Sequence, residues 1–140
     1  MSGYLIDTNC VSETTRPQPD SKVADWFRQT DDSLLHISVL TLGEIRKGIT
    51  RLEIGRRRTQ LEQWLDIQLQ LRFEGRILPI TGQIALRWGT QAGQALLRGR
   101  TLPVIDGLLA ATALEHNLTI ISRNTRDFEA ANVPVFNPWT

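Results

Sequence analysis

The chain has 140 residues, 41% of them hydrophobic and 22% charged, which is one domain's worth of ordinary globular composition and excludes disorder and a second independent core. Sixteen Lys+Arg against fifteen Asp+Glu leave a formal charge of +1, so no global field draws the protein to nucleic acid or an anionic membrane, and any such attraction is local. The single cysteine, Cys10, excludes an internal disulfide, and no close set of Cys and His supports a zinc site.

The apolar run Tyr4-Leu5-Ile6 reads as a buried strand that ends in a polar loop, Asp7-Thr8-Asn9. Asp7 interrupts it before a secretory core is complete, and no later run approaches the length of a membrane span, so a cytoplasmic location is expected. Pro17 and Pro19 mark a turn, after which Val23, Trp26 and Phe27 predict a short helix from Ser21. A second strand is expected over 36–39. Thr41 then precedes Leu42, Ile45, Ile49 and Leu52, which share one face of a helix with Glu44 in its first turn. Residues 56–73 carry Leu61, Trp64, Leu65, Leu69 and Phe73 at helical period, with Gly75 as the stop. A strand follows over 77–80 and a helix over 83–97. Pro103 opens an Ala- and Leu-rich helix over 104–116, which Asn117 closes. Residues 118–122 read as a strand, 123–128 as a loop and short turn, and 133–136 as a last strand. No repeat or linker divides residues 1–140.

Short apolar strands alternating with amphipathic helices predict an α/β domain with a mostly parallel sheet covered on both faces. Ligands then belong at the carboxyl ends of the strands. Asp7 and the Ser122-Arg123-Asn124 loop both fall there.

Four carboxylates draw attention. Asp7 ends a strand, Glu44 and Asp106 lie in helix first turns, and Asp127 sits in the loop after a late strand. Each also has a local explanation, since Thr41 to Glu44 is a capping-box pattern, Asp106 answers a helix dipole, and Asn124 to Asp127 caps a turn. If the four meet, each like-charge pair repels by roughly 4 kcal/mol at about 4 Å and an effective dielectric near 20. A hard cation removes that conflict. Oxygen ligands without Cys or His select Mg²⁺ or Mn²⁺, ions that activate water against phosphoesters.

Four segments carry a resemblance that spacing alone does not supply: Leu5-Ile6-Asp7-Thr8-Asn9, Leu42-Gly43-Glu44-Ile45-Arg46-Lys47-Gly48, Pro103-Val104-Ile105-Asp106-Gly107-Leu108-Leu109-Ala110-Ala111 and Ser122-Arg123-Asn124-Thr125-Arg126-Asp127-Phe128. In this order they resemble the motif blocks of the PIN-domain ribonucleases, and more closely the VapC-type toxins of type II toxin–antitoxin pairs. The likeness runs to the closing Val135-Phe136-Asn137-Pro138-Trp139. It implies a three-layer α/β/α sandwich and Mg²⁺-dependent endoribonuclease activity, with Mn²⁺ as substitute. Asp7, Glu44 and Asp106 map onto the family's metal-site acids and Asp127 onto a fourth, less uniform one. Thr8, Asn9, Ser122, Arg123 and Asn124 fall beside them as substrate-positioning residues. Some relatives carry an acid at the position of Asn124, which leaves open whether Asn124 or Asp127 faces the metal. The implied partners are RNA, a VapB-type antitoxin that sets a basic side chain among the acids, and a second copy of the chain.

Arg46, Lys47, Arg51 and Arg56 to Arg58 form one basic stretch, and Arg98, Arg100, Arg123 and Arg126 lie near other loops. Trp26, Phe27, Trp64 and Trp88 fall on apolar stripes, which predicts packing rather than base stacking. A phosphate-receiving signalling domain would need an acidic pair after the first strand, and a haloacid-dehalogenase-like phosphatase a second acid where Asn9 stands. His36 and His116 open a strand and end a helix, a poor pair for metal-free RNA cleavage. The remaining rival is an RNA- or partner-binding module that keeps the metal pocket without turnover.

Overall fold

Leu5 and Ile6 are neighbours in sequence yet pack into apolar clusters on opposite faces of one sheet, because successive strand side chains point to opposite faces. The computed structural model describes residues 3–140, whose apolar runs form five strands: β1 (Tyr4–Ile6), β2 (Leu35–Ser38), β3 (Ile77–Leu78), β4 (Thr119–Ile121) and β5 (Val135–Phe136). They make one sheet in the order β3-β2-β1-β4-β5. Every pairing is parallel, with Tyr4 opposite Leu35 on one side and Thr119 on the other. The expected mostly parallel sheet is therefore wholly parallel among the described residues. Each connection passes through helix or helical turn, as a parallel crossover requires.

The helices are α1 (Thr8–Glu13), α2 (Ser21–Gln29), α3 (Val39–Thr50), α4 (Arg56–Gln63), α5 (Gln70–Arg72), α6 (Gly82–Leu97) and α7 (Val104–Glu115). A π-helical turn, Trp64–Leu69, joins α4 to α5, and tighter 3-10 turns cover Asp32–Leu34 and Thr125–Ala131. Ile6 and Ile121 face a core shared with Ile45, Ile49, Leu65 and Phe73, on the side of α1, α3 and the π turn. Leu5 and Ile120 face the other, with Leu109, Ala113 and Phe128 beneath α6, α7 and the last 3-10 turn. This is a three-layer α/β/α sandwich. Each fully buried aliphatic or aromatic side chain contributes roughly 1.5–3 kcal/mol. Among the described residues, no helix is long and apolar enough to cross a membrane.

Four sequence-based expectations are corrected here. The segment after Asp7 is no loop but helix α1, with Asp7 as its N-cap. Strand β2 stops at Ser38, whose hydroxyl accepts the Leu40 amide, so α3 begins at Val39 and not after Thr41. Glu44 is consequently the sixth residue of that helix, beyond the first turn, and Thr41 is buried without a capping role. The single helix expected over 56–73 is interrupted by the π turn. Turn chemistry fares better: Gly75 at φ +78 and Asn117 at φ +55 stand at the predicted stops, where the backbone is left-handed.

Candidate active site

The strand order reverses direction between β1 and β4, which opens a crevice beyond the carboxyl ends of those two strands. Asp7 follows β1 directly, and its amide still donates to the Ile121 carbonyl at 2.9 Å. Ser122 follows β4. The two side chains meet: the fully buried Ser122 hydroxyl donates to Asp7 Oδ2 at 2.7 Å, while Asp7 Oδ1 accepts the Thr8 amide at 2.8 Å.

Thr8 extends this contact to a third element. Its hydroxyl donates to Glu44 Oε1 at 2.6 Å, so an acid from α3 is tethered beside the acid that ends β1. Asn9 secures the opposite flank, its Nδ2 donating to Ser122 Oγ at 3.3 Å and its Oδ1 accepting the Arg123 amide at 3.3 Å. The Ser122 oxygen also accepts the Asn124 amide at 3.0 Å. One hydrogen-bonded chain thus runs from Glu44 through Thr8, Asp7 and Ser122 to the loop that carries Asp127.

Electrostatics bring all four expected acids into one field. Burial pushes the Asp7 carboxyl above its ordinary value; the Ser122 and Thr8 hydrogen bonds oppose that rise, and the charges of Glu44 and Asp127 add to it. Asp106, in the first turn of α7, is pushed up to about 6, first by burial and then by Asp127, Asp7 and Glu44. Asp127 acts on both Asp7 and Asp106, whereas the Asn124 side chain makes no capping bond to its own turn.

The acids are near enough to repel but do not converge on a point: among the described residues, no three Asp, Glu, His or Cys side chains are gathered closely enough to enclose a metal. Their chemistry still fits a hard cation. The donors are oxygens alone, because the buried Cys10 thiol donates to the Ile121 carbonyl and His36 Nδ1 contacts the Leu34 carbonyl at 3.1 Å. Burial also pushes the Cys10 thiol up, away from reactivity. A cation among these carboxylates would relieve the repulsion that raises Asp106.

A pH effect follows. The folded chain holds the Asp106 proton up to about pH 6, against an ordinary value of 3.8. Stability from this group is therefore fully present below about 3.8 and lost as pH rises through about 6. Without divalent metal, the melting temperature of Asp106→Asn relative to the parent chain is expected to rise across pH 4–6 and level off above. A difference equal at pH 4 and pH 7 would show that Asp106 carries no charge strain.

The basic residues divide. Arg46 pairs with Asp66 and lies 4.0 Å from Glu62, so it serves helix packing. The Arg123 guanidinium lies 5.2 Å over the Trp139 ring. Trp26 sits between Tyr4 and Phe27 in edge contacts of 5.2 Å, as core packing predicts. Glu13 drew no attention in the sequence: it is buried, but it accepts the Asp20 amide at 2.8 Å and belongs to the α1–α2 connection.

A family model described as PIN domain matches residues 4–133, and the chain belongs to the PIN-domain family. Within it, the chain is 37% identical over 135 residues to toxin FitB of Neisseria gonorrhoeae, covering 96% of this chain and 97% of that protein. It is 32% identical to VapC ribonuclease Y4jK of Sinorhizobium fredii, covering 96% of each. The crystal structure of FitAcB from Neisseria gonorrhoeae superposes with a TM-score of 0.91 at 37% identity, over 97% of this chain and 98% of that one. DNA-bound VapBC from Salmonella typhimurium shares the fold, with a TM-score of 0.79 at 21% identity over 99% of both chains.

Proposed function

We propose that the chain is a divalent-metal-dependent endoribonuclease and the toxin of a toxin–antitoxin pair, acting in the cytoplasm. Relatives named as a VapC ribonuclease and as toxin FitB support this reading. The observation that carries it is the Asp7 carboxylate, buried at the strand ends and held by two donors within the field of three further acids.

In this reading Asp7 and Asp106, with Glu44 and Asp127, would hold Mg²⁺ or Mn²⁺. When bound, such an ion supplies charge neutralisation at the phosphate and water made acidic enough to attack phosphorus. The chain's own residues do the positioning. Ser122 and Thr8 hold Asp7 with its carboxylate directed by two donors, and Thr8 restrains the long Glu44 side chain. Asn9 fixes the Arg123–Asn124 backbone, which brings Asp127 to the same opening. Arg126 has no ion partner among the described residues and is available to an RNA phosphate. An antitoxin cation placed among the acids would satisfy them as a metal does and exclude the phosphate.

The test is cleavage of labelled RNA with Mn²⁺ or Mg²⁺, with and without excess chelator. Cleavage leaving 5′-phosphate and 3′-hydroxyl ends, lost on chelation, is expected. Cyclic 2′,3′-phosphate ends, or full activity in chelator, would overturn the mechanism. Asp127→Asn is expected to raise the half-maximal Mn²⁺ concentration several-fold, because an amide keeps a coordinating oxygen but loses its attraction to the cation. Asn124→Ala should leave that concentration unchanged. If Asp127→Asn also leaves it unchanged, the site contains only Asp7, Glu44 and Asp106.

A further inference from the structure

A groove of about 310 Å³ opens off the acid site, with Thr8 and Glu44 in its wall. Glu44, Gly48 and Leu52 are spaced four residues apart, so one stripe of α3 and its exit turn runs along the groove for about 12 Å. That length accommodates roughly three nucleotides at about 3.4 Å each when stacked. Ile49, Leu61 and Trp64 make the lining largely apolar; Trp64, which begins the π turn, packs against the core as expected but is only half-buried and also lines the groove.

The groove has a polarity of charge. At one end stands Glu44, the acid linked through Thr8 to Asp7. Near the other, Arg57 Nη2 donates to the Thr15 carbonyl at 2.9 Å and Arg58 Nη1 to the Leu52 carbonyl at 3.2 Å, and Thr15 and Leu52 both line the groove. Arg58 is shared with Glu62 at 3.9 Å, but Arg57 has no carboxylate partner among the described residues. A guanidinium held by one backbone bond retains donors for a phosphate.

We propose that this groove seats the nucleotide next to the scissile phosphate of a single-stranded RNA, its base against Trp64 and its outer phosphate on Arg57. The proposal rests on the ribonuclease reading above. A strand with one phosphate at the acids must leave the site along a neighbouring surface, and this one begins at the acids and ends in cations. Its aromatic, apolar wall suits the flat face of any base, with side-chain donors only at Thr8, Ser12, Thr15 and Trp64, so the seat tolerates base identity.

Gly48 supplies a test that spares the fold. A Cβ there meets nothing within 4 Å, and a helix-interior glycine is replaced without backbone strain. Gly48→Leu fills the groove; Gly93→Leu, in equally open space on α6, is the control. The readout is single-turnover cleavage of a labelled single-stranded RNA with Mn²⁺, titrated in protein and in salt, with melting temperature measured alongside. Gly48→Leu is expected to melt no lower than the parent chain yet need at least tenfold more protein for half-saturation, while Gly93→Leu stays within twofold. Arg57→Gln should reduce the slope of log affinity against log salt by about 0.7. Parent-like half-saturation in a folded Gly48→Leu overturns the proposal. So does loss of antitoxin capture alone, which would make the groove a protein-docking face. A parent chain that cleaves no RNA with metal removes the ribonuclease reading itself, and the seat with it.

Discussion

Asp7→Asn is expected to reduce RNA cleavage more than about 100-fold, beyond what loss of an outer-shell partner costs a metal site, while leaving the chain folded. The stability side of this prediction follows from two opposed effects. Burial already disfavours the Asp7 charge, so neutralising it is stabilising without metal. Against that, Asp7 accepts from both Thr8 and Ser122, and an amide offers one acceptor where the carboxylate offers two. The Ser122 oxygen already accepts from Asn9 and Asn124, so its proton has no second acceptor among these partners. Leaving that buried donor unpaired costs about 1–3 kcal/mol, and the gain from neutralising the buried charge offsets it. Thermal melting in chelator should shift by only a few degrees. Asp20→Asn is the control, since Asp20 caps α2 through the Lys22 and Val23 amides and Asn caps equally well. If Asp7→Asn collapses the fold while Asp20→Asn does nothing, Asp7 is a structural acid and the metal-site reading fails.

Gly107→Val is expected to cost about 3 kcal/mol, the upper range for forcing volume into a packed interior, and so to lower the melting temperature by roughly 10 °C for a domain of this size. A Cβ at Gly107 would lie 2.8 Å from Trp88 Cδ1 and 3.0 Å from Leu102 Cδ2. No glycine freedom of φ is involved; the Trp88 and Leu102 side chains pack directly onto the glycine and occupy the space a side chain would need. The neighbouring residue is Asp106, so relief by shifting the start of α7 would move a proposed metal ligand, and cleavage should fall with stability. Trp88→Leu removes the indole edge and should recover part of the cost of Gly107→Val. Equal costs in both backgrounds would place the strain elsewhere.

The strand-end position of Asp7 and Ser122 was legible because β1 and β4 are short apolar runs whose polar successors must sit at a sheet edge. Their direct contact was not, since it depends on register across a sequence separation of 115 residues. Helix α1 was missed because Thr8 to Glu13 carries little apolar periodicity; its partners come from α3 and β4. The start of α3 was misplaced for the opposite reason. Ile37, Val39 and Leu40 are apolar on both sides of the boundary, and only the Ser38 cap divides strand from helix. That three-residue displacement made Glu44 look like a first-turn acid, when it is an acid one turn further on that reaches Thr8. The π turn left no signal, because its wider winding is a compromise between neighbouring contacts. The groove did leave one: Glu44, Gly48 and Leu52 at four-residue intervals, with a glycine where a side chain would block the way.

The strand order also sets a timetable. β1 is made first but lies at the centre of the sheet, with β4 along one flank, and β4 and β5 are the last strands to be synthesised. A ribosome-bound chain that has emerged only as far as α6 therefore has Asp7 at an open sheet edge, with neither Asp106 nor Asp127 beside it. The four acids enter one electrostatic field only after β4 has docked, a late closure of long sequence separation. On the ribonuclease reading, a chain in which β4 has not yet docked lacks the acid set that cleavage requires.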